Sequence, residues 1–360
     1  MPTAAIERFA TGRDGRVATS AAPDQPCGQG SAILRLSGIA CLSSGMQTTR
    51  RSKEANVITP NGPGGGGVTR HIIDLPCDRP AAFAAMDVAI VADIARTRAR
   101  LGRTVIWGLC GPQGSGKSFT AVRLVAHLAG LGLGAVIASL DDFYLTREAR
   151  EGLARTVHPL LATRGVPGTH DLALLEATIS HLMDAAPDQE VAIPAFDKTL
   201  DDRVSPDQWP LFRGRPDVII LEGWCVGARP QAPTALAVPA NTLESIEDPA
   251  GSWRTYVNQQ LAGPYMRLFA KLDRRTLLSA PSFETVFGWR GEQEAKLDRS
   301  ARGSRPPMTP AQLHRFIAHY ERLTRWLLED QPAELVVDLA ADRTPLRLRL
   351  MPPAAGLLTE

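Results

Sequence analysis

Residues 111 to 118 read Gly-Pro-Gln-Gly-Ser-Gly-Lys-Ser and stand between a short apolar run and a stretch of helical period. The spelling fits G-x-x-x-x-G-K-[ST]. In that pattern glycines let successive backbone N–H groups converge on phosphate oxygens, while the positive end of the following helix faces the same point. A chain that carries it must place a strand, a tight loop and a helix in succession, which is the opening unit of a parallel sheet. Gly111, Pro112, Gln113, Gly114, Ser115, Gly116, Lys117, Ser118 and, just inside the helix, Phe119 are the candidates for holding a nucleotide. In such a loop the lysine reaches the β and γ phosphates and the next hydroxyl is offered to Mg²⁺, so ATP and Mg²⁺ are the expected cofactors.

On either side of the loop the period keeps changing. Thr104 to Cys110 is a continuous apolar run of strand length, Lys117 to Ala129 repeats at helical spacing, and Ala135 to Leu140 and Asp217 to Leu221 are again short and apolar. Short apolar strands separated by helices call for a parallel sheet covered on both faces, with ligands at the carboxyl ends of the strands. Gly111 and Glu222 both follow such ends. Phe83, Met86, Val88, Ile90 and Ile94 predict a packing helix over Pro80 to Arg100. Helices are also predicted over Tyr256 to Leu272 and Pro310 to Leu328, and Leu335 to Leu339 reads as the last strand. No internal repeat is visible. The expected fold class is α/β, a P-loop NTPase three-layer fold with a parallel central sheet, a helical C-terminal part and a lid.

Residues 1 to 70 behave differently, with no sustained period and a closing Gly-Pro-Gly-Gly-Gly-Gly at 62 to 67. The expectation is a disordered N-terminal extension followed by a P-loop kinase domain over 71–360. The scarcity of acids in the extension also permits a transit-like reading, and Met46 or Met86 an alternative start. Forty Lys and Arg against thirty-eight Asp and Glu leave no global field to gather nucleic acid or anionic membrane. The expected partners are therefore ATP and a small-molecule substrate, with no obligate protein partner. Five widely spaced cysteines without a Cys-x-x-Cys pair argue against a disulfide framework or a zinc site and fit a reducing cytoplasm. The longest apolar run, Leu124 to Leu140, holds His127 and glycines at 130, 132 and 134, and reads as helix, turn and strand rather than a membrane span. With no secretory signal at the start, a soluble cytoplasmic protein is expected.

Two strand ends bring acids toward the loop. Ser139-Leu140-Asp141-Asp142-Phe143-Tyr144 closes one strand with paired carboxylates. A hydroxyl acceptor needs a base close to its proton during phosphoryl transfer, and Asp141, on a rigid support, is the candidate. Asp142 is the candidate N-cap of the following helix. The run Val218-Ile219-Ile220-Leu221 delivers Glu222, placed as a Walker B carboxylate; Ser118, Glu222 and Asp141 are the candidate metal residues. Downstream, Arg164 to Asp171 and Phe196 to Arg203 are polar where a connecting loop need not be. Arg164, Lys198 and Arg203 are candidates to meet a substrate carboxylate, and His170 and Asp197 to meet its hydroxyls. Ordinary surface turns and salt bridges are the alternative for each. The charged segment from Gly288 to Arg302, with a lid expected over about 288–308, offers Arg290 to the transition state; a solvated charged helix is the alternative. Asp141, Lys117, Glu222 and Arg290 form the candidate catalytic set.

Together GPQGSGKS, SLDDFYLT, RGVPGTHDL, FDKTLDDR, ILEGW, YVNQQL, WRGEQEAKL and HYERLTRWL resemble the D-glycerate 3-kinase family, from about Val105 to Leu348. That family is similar to uridine, pantothenate and phosphoribulose kinases. The resemblance implies phosphorylation of D-glycerate to 3-phosphoglycerate with MgATP, with the Asp matching Asp141 as base and the Glu matching Glu222 at the metal site. The spacing between Lys198 and Asp202-Arg203 is shorter than in the plant members. Other readings stay open: a P-loop kinase for another small hydroxyl acceptor, uridine or pantothenate in type, or a non-catalytic ATP-binding module. A GTPase would need an Asn-Lys-x-Asp or Thr-Lys-x-Asp guanine reader, and the nearest strings, Ala270 to Asp273 and Ala295 to Asp298, lack its first residue.

Overall fold

A computed structural model of the chain describes residues 71–295 and 308–351. The expected N-terminal extension and most of the expected lid lie outside the described residues. In chain order the elements are β1 (His71–Asp74), α1 (Arg79–Leu101), β2 (Val105–Cys110), α2 (Lys117–Gly130), β3 (Ala135–Ser139), α3 (Arg147–Thr156) and α4 (Leu172–Asp184). Four short strands and a long one come next: β4 (Glu190–Ala192), β5 (Phe196–Asp197), β6 (Asp202–Arg203), β7 (Leu211–Arg213) and β8 (Val218–Gly223). The remainder comprises α5 (Thr242–Glu247), α6 (Ser252–Gln260), α7 (Met266–Phe269), β9 (Arg274–Ser279), α8 (Phe283–Ala295), α9 (Pro310–Asp330), β10 (Leu335–Leu339) and β11 (Pro345–Leu350).

The main sheet runs β1-β11-β10-β9-β2-β8-β3. Its five strands from β10 to β3 are parallel, while β11 is antiparallel to both of its neighbours. The central strands show why the sequence reads as unbroken apolar runs. In β2, Ile106 and Cys110 belong to one apolar cluster while Val105, Trp107 and Leu109 belong to the other; in β8, Ile219 and Leu221 separate from Val218 and Ile220 in the same way. Both faces of the sheet are covered, so alternation of side-chain direction is not accompanied by alternation of polarity. Helices α1, α2 and α8 cover one face, and α4, α7 and the later turns of α9 cover the other. Each fully buried Leu or Ile in these layers contributes roughly 1.5–3 kcal/mol.

Five departures from expectation have local causes. The helix predicted over Tyr256 to Leu272 is interrupted by a wide π-type turn, Leu261–Tyr265, around Pro264, whose ring nitrogen has no N–H for the regular ladder. Strand β9 begins with two arginines, which hide its period, and β1 sits at an exposed edge. Leu335 to Leu339 is not the last strand, because Arg347 and Arg349 of β11 alternate outward and pair with Asp74 and Asp338. Gly288 to Ala295, the start of the segment expected as a lid, is the second half of α8. Among the described residues no helix is long and apolar enough to cross a membrane.

Candidate active site

Strand β2 is buried along its whole length and ends at Cys110, after which the chain turns through the glycine-rich loop into α2. Gly114 and Gly116 have φ of 76° and 89°, the left-handed region open to glycine. At Gly114 the need is doubled, since a Cβ there would stand 2.6 Å from that of Trp289. Gly116 caps α2 with no side-chain bond, so the helix's opening N–H groups remain available to an anion. From the far end of the chain, Arg343 Nε donates to the Gly114 carbonyl at 2.6 Å and its guanidinium lies over the Trp289 ring.

At the end of β8, Glu222 is 3% exposed. Its Oε1 accepts from Ser118 Oγ at 3.0 Å and from Ser139 Oγ at 2.8 Å. Among the described residues Oε2 is buried without a hydrogen-bond partner, and it lies 3.9 Å from Lys117 Nζ. A buried carboxylate oxygen left so is costly, and a cation beside it relieves the cost. One carboxylate and one hydroxyl beside a phosphate loop suit Mg²⁺, which keeps several waters and takes phosphate oxygens for the rest of its shell. Among the described residues no group of three or more His, Cys, Asp or Glu converges as a metal cage.

Asp141 sits in a 3₁₀ turn, Leu140–Phe143, directly after β3. Tyr144 Oη donates to its Oδ1 at 2.7 Å and Lys198 Nζ to its Oδ2 at 2.6 Å. Burial alone would raise its pKa, but the Lys198 and Lys117 ammoniums and both hydrogen bonds outweigh it and hold the carboxyl well below the usual range. In this arrangement both Asp141 oxygens are engaged by neighbouring side chains, whereas Glu222 Oε2 beside Ser118 is not. Asp142 is not the helix cap. It accepts the Phe196 N–H at 3.2 Å, and Thr146 caps α3 instead. Burial pushes the Asp142 carboxyl up to about 6, against the pull of Lys198.

A cleft of about 540 Å³ gathers Gln113, Lys117, Ser118, Asp141, Arg164, Lys198 and Arg290. Arg290 is a buried helical residue, paired with Glu294 at 3.1 Å and lying over Phe316, so the solvated helix does not describe it. Its Nη1 has no hydrogen-bond partner among the described residues.

Three expected substrate residues do not line the cleft. His170 is buried, its Nδ1 2.6 Å from Tyr265 Oη and its ring stacked on Tyr144 at 4.7 Å; burial lowers its pKa to about 4 and keeps it neutral. Asp197 Oδ1 accepts from Thr199 N, Thr199 Oγ1 and Leu200 N, closing its own turn. Arg203 Nη2 donates to Asp171 Oδ2 at 3.1 Å and to the Tyr144 carbonyl at 3.0 Å. Each of them shapes a loop instead. Phe119 is 76% exposed and also stands outside the cleft. The unexpected wall comes from α9, which adds Gln312, Phe316 and Tyr320. Their four-residue spacing puts them on one helical face, a signal present in the sequence but indistinguishable there from a packing stripe.

No protein-family profile matches the chain. Over 229 residues it is 36% identical to the "Uncharacterized kinase mug58" of Schizosaccharomyces pombe, a match spanning 61% of this chain and 79% of that protein. Over 246 residues it is 31% identical to the "Probable ATP-dependent kinase TDA10" of Saccharomyces cerevisiae, spanning 61% and 76% respectively. Among solved structures, the D-glycerate 3-kinase from Cryptococcus neoformans var. grubii is similar with a TM-score of 0.63 at 26% identity, over 74% of this chain and 99% of that one.

Proposed function

The chain belongs to the D-glycerate 3-kinase family of P-loop kinases, and on that premise we propose that it transfers the γ-phosphoryl group of MgATP to the 3-hydroxyl of D-glycerate. The observation that carries this reading is the common cleft. A phosphate loop, an ionised strand-end carboxylate and two cations, Arg164 and Lys198, all face it. ATP supplies the phosphoryl group, and Mg²⁺ beside Ser118 and Glu222 would neutralise its oxygens. Lys117 and the opening N–H groups of α2 orient the phosphates. Arg164 and Lys198 attract the acceptor's carboxylate, which turns its hydroxyl toward Asp141. As the new O–P bond forms and the bond to the β-phosphate bridging oxygen breaks, the hydroxyl proton passes to Asp141 Oδ2 once Lys198 has left it. Tyr144 holds the other oxygen in place. Because Asp141 stays ionised, it is a weak base in the ground state and takes the proton late, as a loose phosphoryl transition state requires.

A different small hydroxyl acceptor is the second reading. It draws on the α9 wall, whose aromatic and polar surface exceeds what a three-carbon acid needs. ADP release by the purified protein offered D-glycerate, L-glycerate, uridine and pantothenate in turn, with the product read by phosphorus NMR, separates the two. Stimulation by D-glycerate alone, giving a 3-phosphate, is expected; none with D-glycerate would overturn the assignment.

A further inference from the structure

Arg150 is 1% exposed, on α3, and absent from the cleft lining. Its guanidinium nevertheless touches all three segments that build the acceptor side. Nε donates to the Leu145 carbonyl at 3.2 Å, next to Tyr144; Nη1 donates to the Ala162 carbonyl at 2.8 Å, two residues before Arg164; Nη2 donates to the Asp201 carbonyl at 2.7 Å, on the hairpin tip that carries Lys198. Nη2 also lies 3.2 Å from Asp201 Oδ1, and that same carboxylate oxygen accepts from Arg164 Nη1. Arg164 Nη2 reaches back to the Lys198 carbonyl at 3.4 Å. Asp201 itself holds a φ of 58°, a conformation that aspartate tolerates and β-branched residues do not. A buried fork with several N–H groups can be satisfied only by segments held in one arrangement, so its bonds define that arrangement.

We infer that the Arg150–Asp201 pair is a positioning device for the acceptor subsite, setting the place of Arg164 and Lys198 without touching the acceptor. Arg164 is long and would otherwise sample many rotamers; Asp201 fixes its head, and Arg150 fixes Asp201. Lys198 is 46% exposed at its side chain, yet its backbone is pinned from both ends of the hairpin tip. The cations are therefore presented on a rigid frame while the lysine stem alone remains free to move from Asp141 to a bound carboxylate. The nucleotide loop shares none of these bonds. This inference rests on the cleft being the acceptor site of a kinase.

Asp201→Asn tests it, since asparagine keeps the shape and the left-handed backbone but loses the charge that holds two arginines. With D-glycerate as acceptor, KM for the acid is expected to rise about tenfold or more while KM for ATP stays within about twofold. Arg150→Lys is expected to give an intermediate rise. Amide hydrogen exchange supplies a readout that needs no acceptor: residues 196–203 and 162–165 should exchange faster in Asp201→Asn, with 111–118 unchanged. Equal changes in both KM values, or exchange that accelerates uniformly or nowhere, would overturn the positioning role. Absence of wild-type turnover with D-glycerate would count against the acceptor assignment and leave the exchange pattern to decide on Arg150 and Asp201.

Discussion

The two sides of the cleft are built on different principles. The donor side is largely one stretch of chain: strand, glycine loop and helix succeed one another without interruption from Val105, Glu222 and Ser139 join from neighbouring strand ends, and Trp289 and Arg343 brace the loop from behind. The acceptor side is assembled from segments that the sequence separates. Asp141 meets Lys198 across 57 positions, and Arg164 meets Asp201 across 37. Backbone groups form the donor side and side-chain charge pairs the acceptor side. The first depends on few side chains, namely its lysine, its hydroxyl, its carboxylate and the Trp289–Arg343 brace, whereas the second is expected to fail by degrees as individual pairs are lost.

That contrast can be broken by experiment, and the largest effect is expected at Lys117. Lys117→Ala should lower kcat by about a thousandfold or more without unfolding the protein, as ADP release would record. Activity near wild type would end the claim that this loop serves the donor. Asp141→Asn retains the bond to Tyr144 but cannot take the proton, so kcat should fall roughly 10²–10⁴-fold. If the loss appeared only in KM, Asp141 would be a contact rather than the base. Glu222→Gln should cost about a hundredfold in kcat and move the Mg²⁺ concentration giving half-maximal rate upward. An unchanged metal titration would remove Glu222 from the metal site. Lys198→Met should raise the acceptor KM about tenfold with little change for ATP, sharpening the division into two halves.

The smallest effect is on stability. His170 and His319 are buried, and burial lowers both to about 4 from an ordinary 6.5. Below pH 6.5 the unfolded chain binds these protons while the folded chain does not, so stability present above that pH is lost progressively as pH falls toward 4. The limit is about 3 kcal/mol for each histidine. Asp142 acts in the opposite sense, because the folded chain keeps its proton up to about 6 while the unfolded one releases it near 3.8. The difference between acid melts of the wild type and of His319→Gln should grow as pH falls from 6.5 to 4, and identical profiles would show that His319 does not contribute.

The same contrast explains what could be read from the sequence. The convergence of Lys117, Ser118, Glu222 and Asp141 is legible because each sits at a fixed offset from a recognisable strand or loop. The sheet was legible for its buried central strands and hidden at β9, β11 and β1, where arginines and edge positions interrupt the apolar pattern. Polar loops at 164–171 and 196–203 could be recognised as unusual, but which residue faces the cleft could not. His170, Asp197 and Arg203 have the same side-chain chemistry as the residues that line the cleft and are used internally. Arg290 lines the cleft as its place in the charged segment suggested; its burial against Phe316 depends on α9, which is distant in sequence.

The hydrogen bond from Arg343 to Gly114 links positions 229 apart. The nucleotide loop is thus anchored by the turn joining the last two strands, and Trp289, pressed on the same glycine, fastens to that turn through its indole N–H on Ala341 at 2.6 Å. A cut before residue 343 is expected to release this clasp on the phosphate loop from behind, so the β10–β11 hairpin supports that loop as well as extending the sheet.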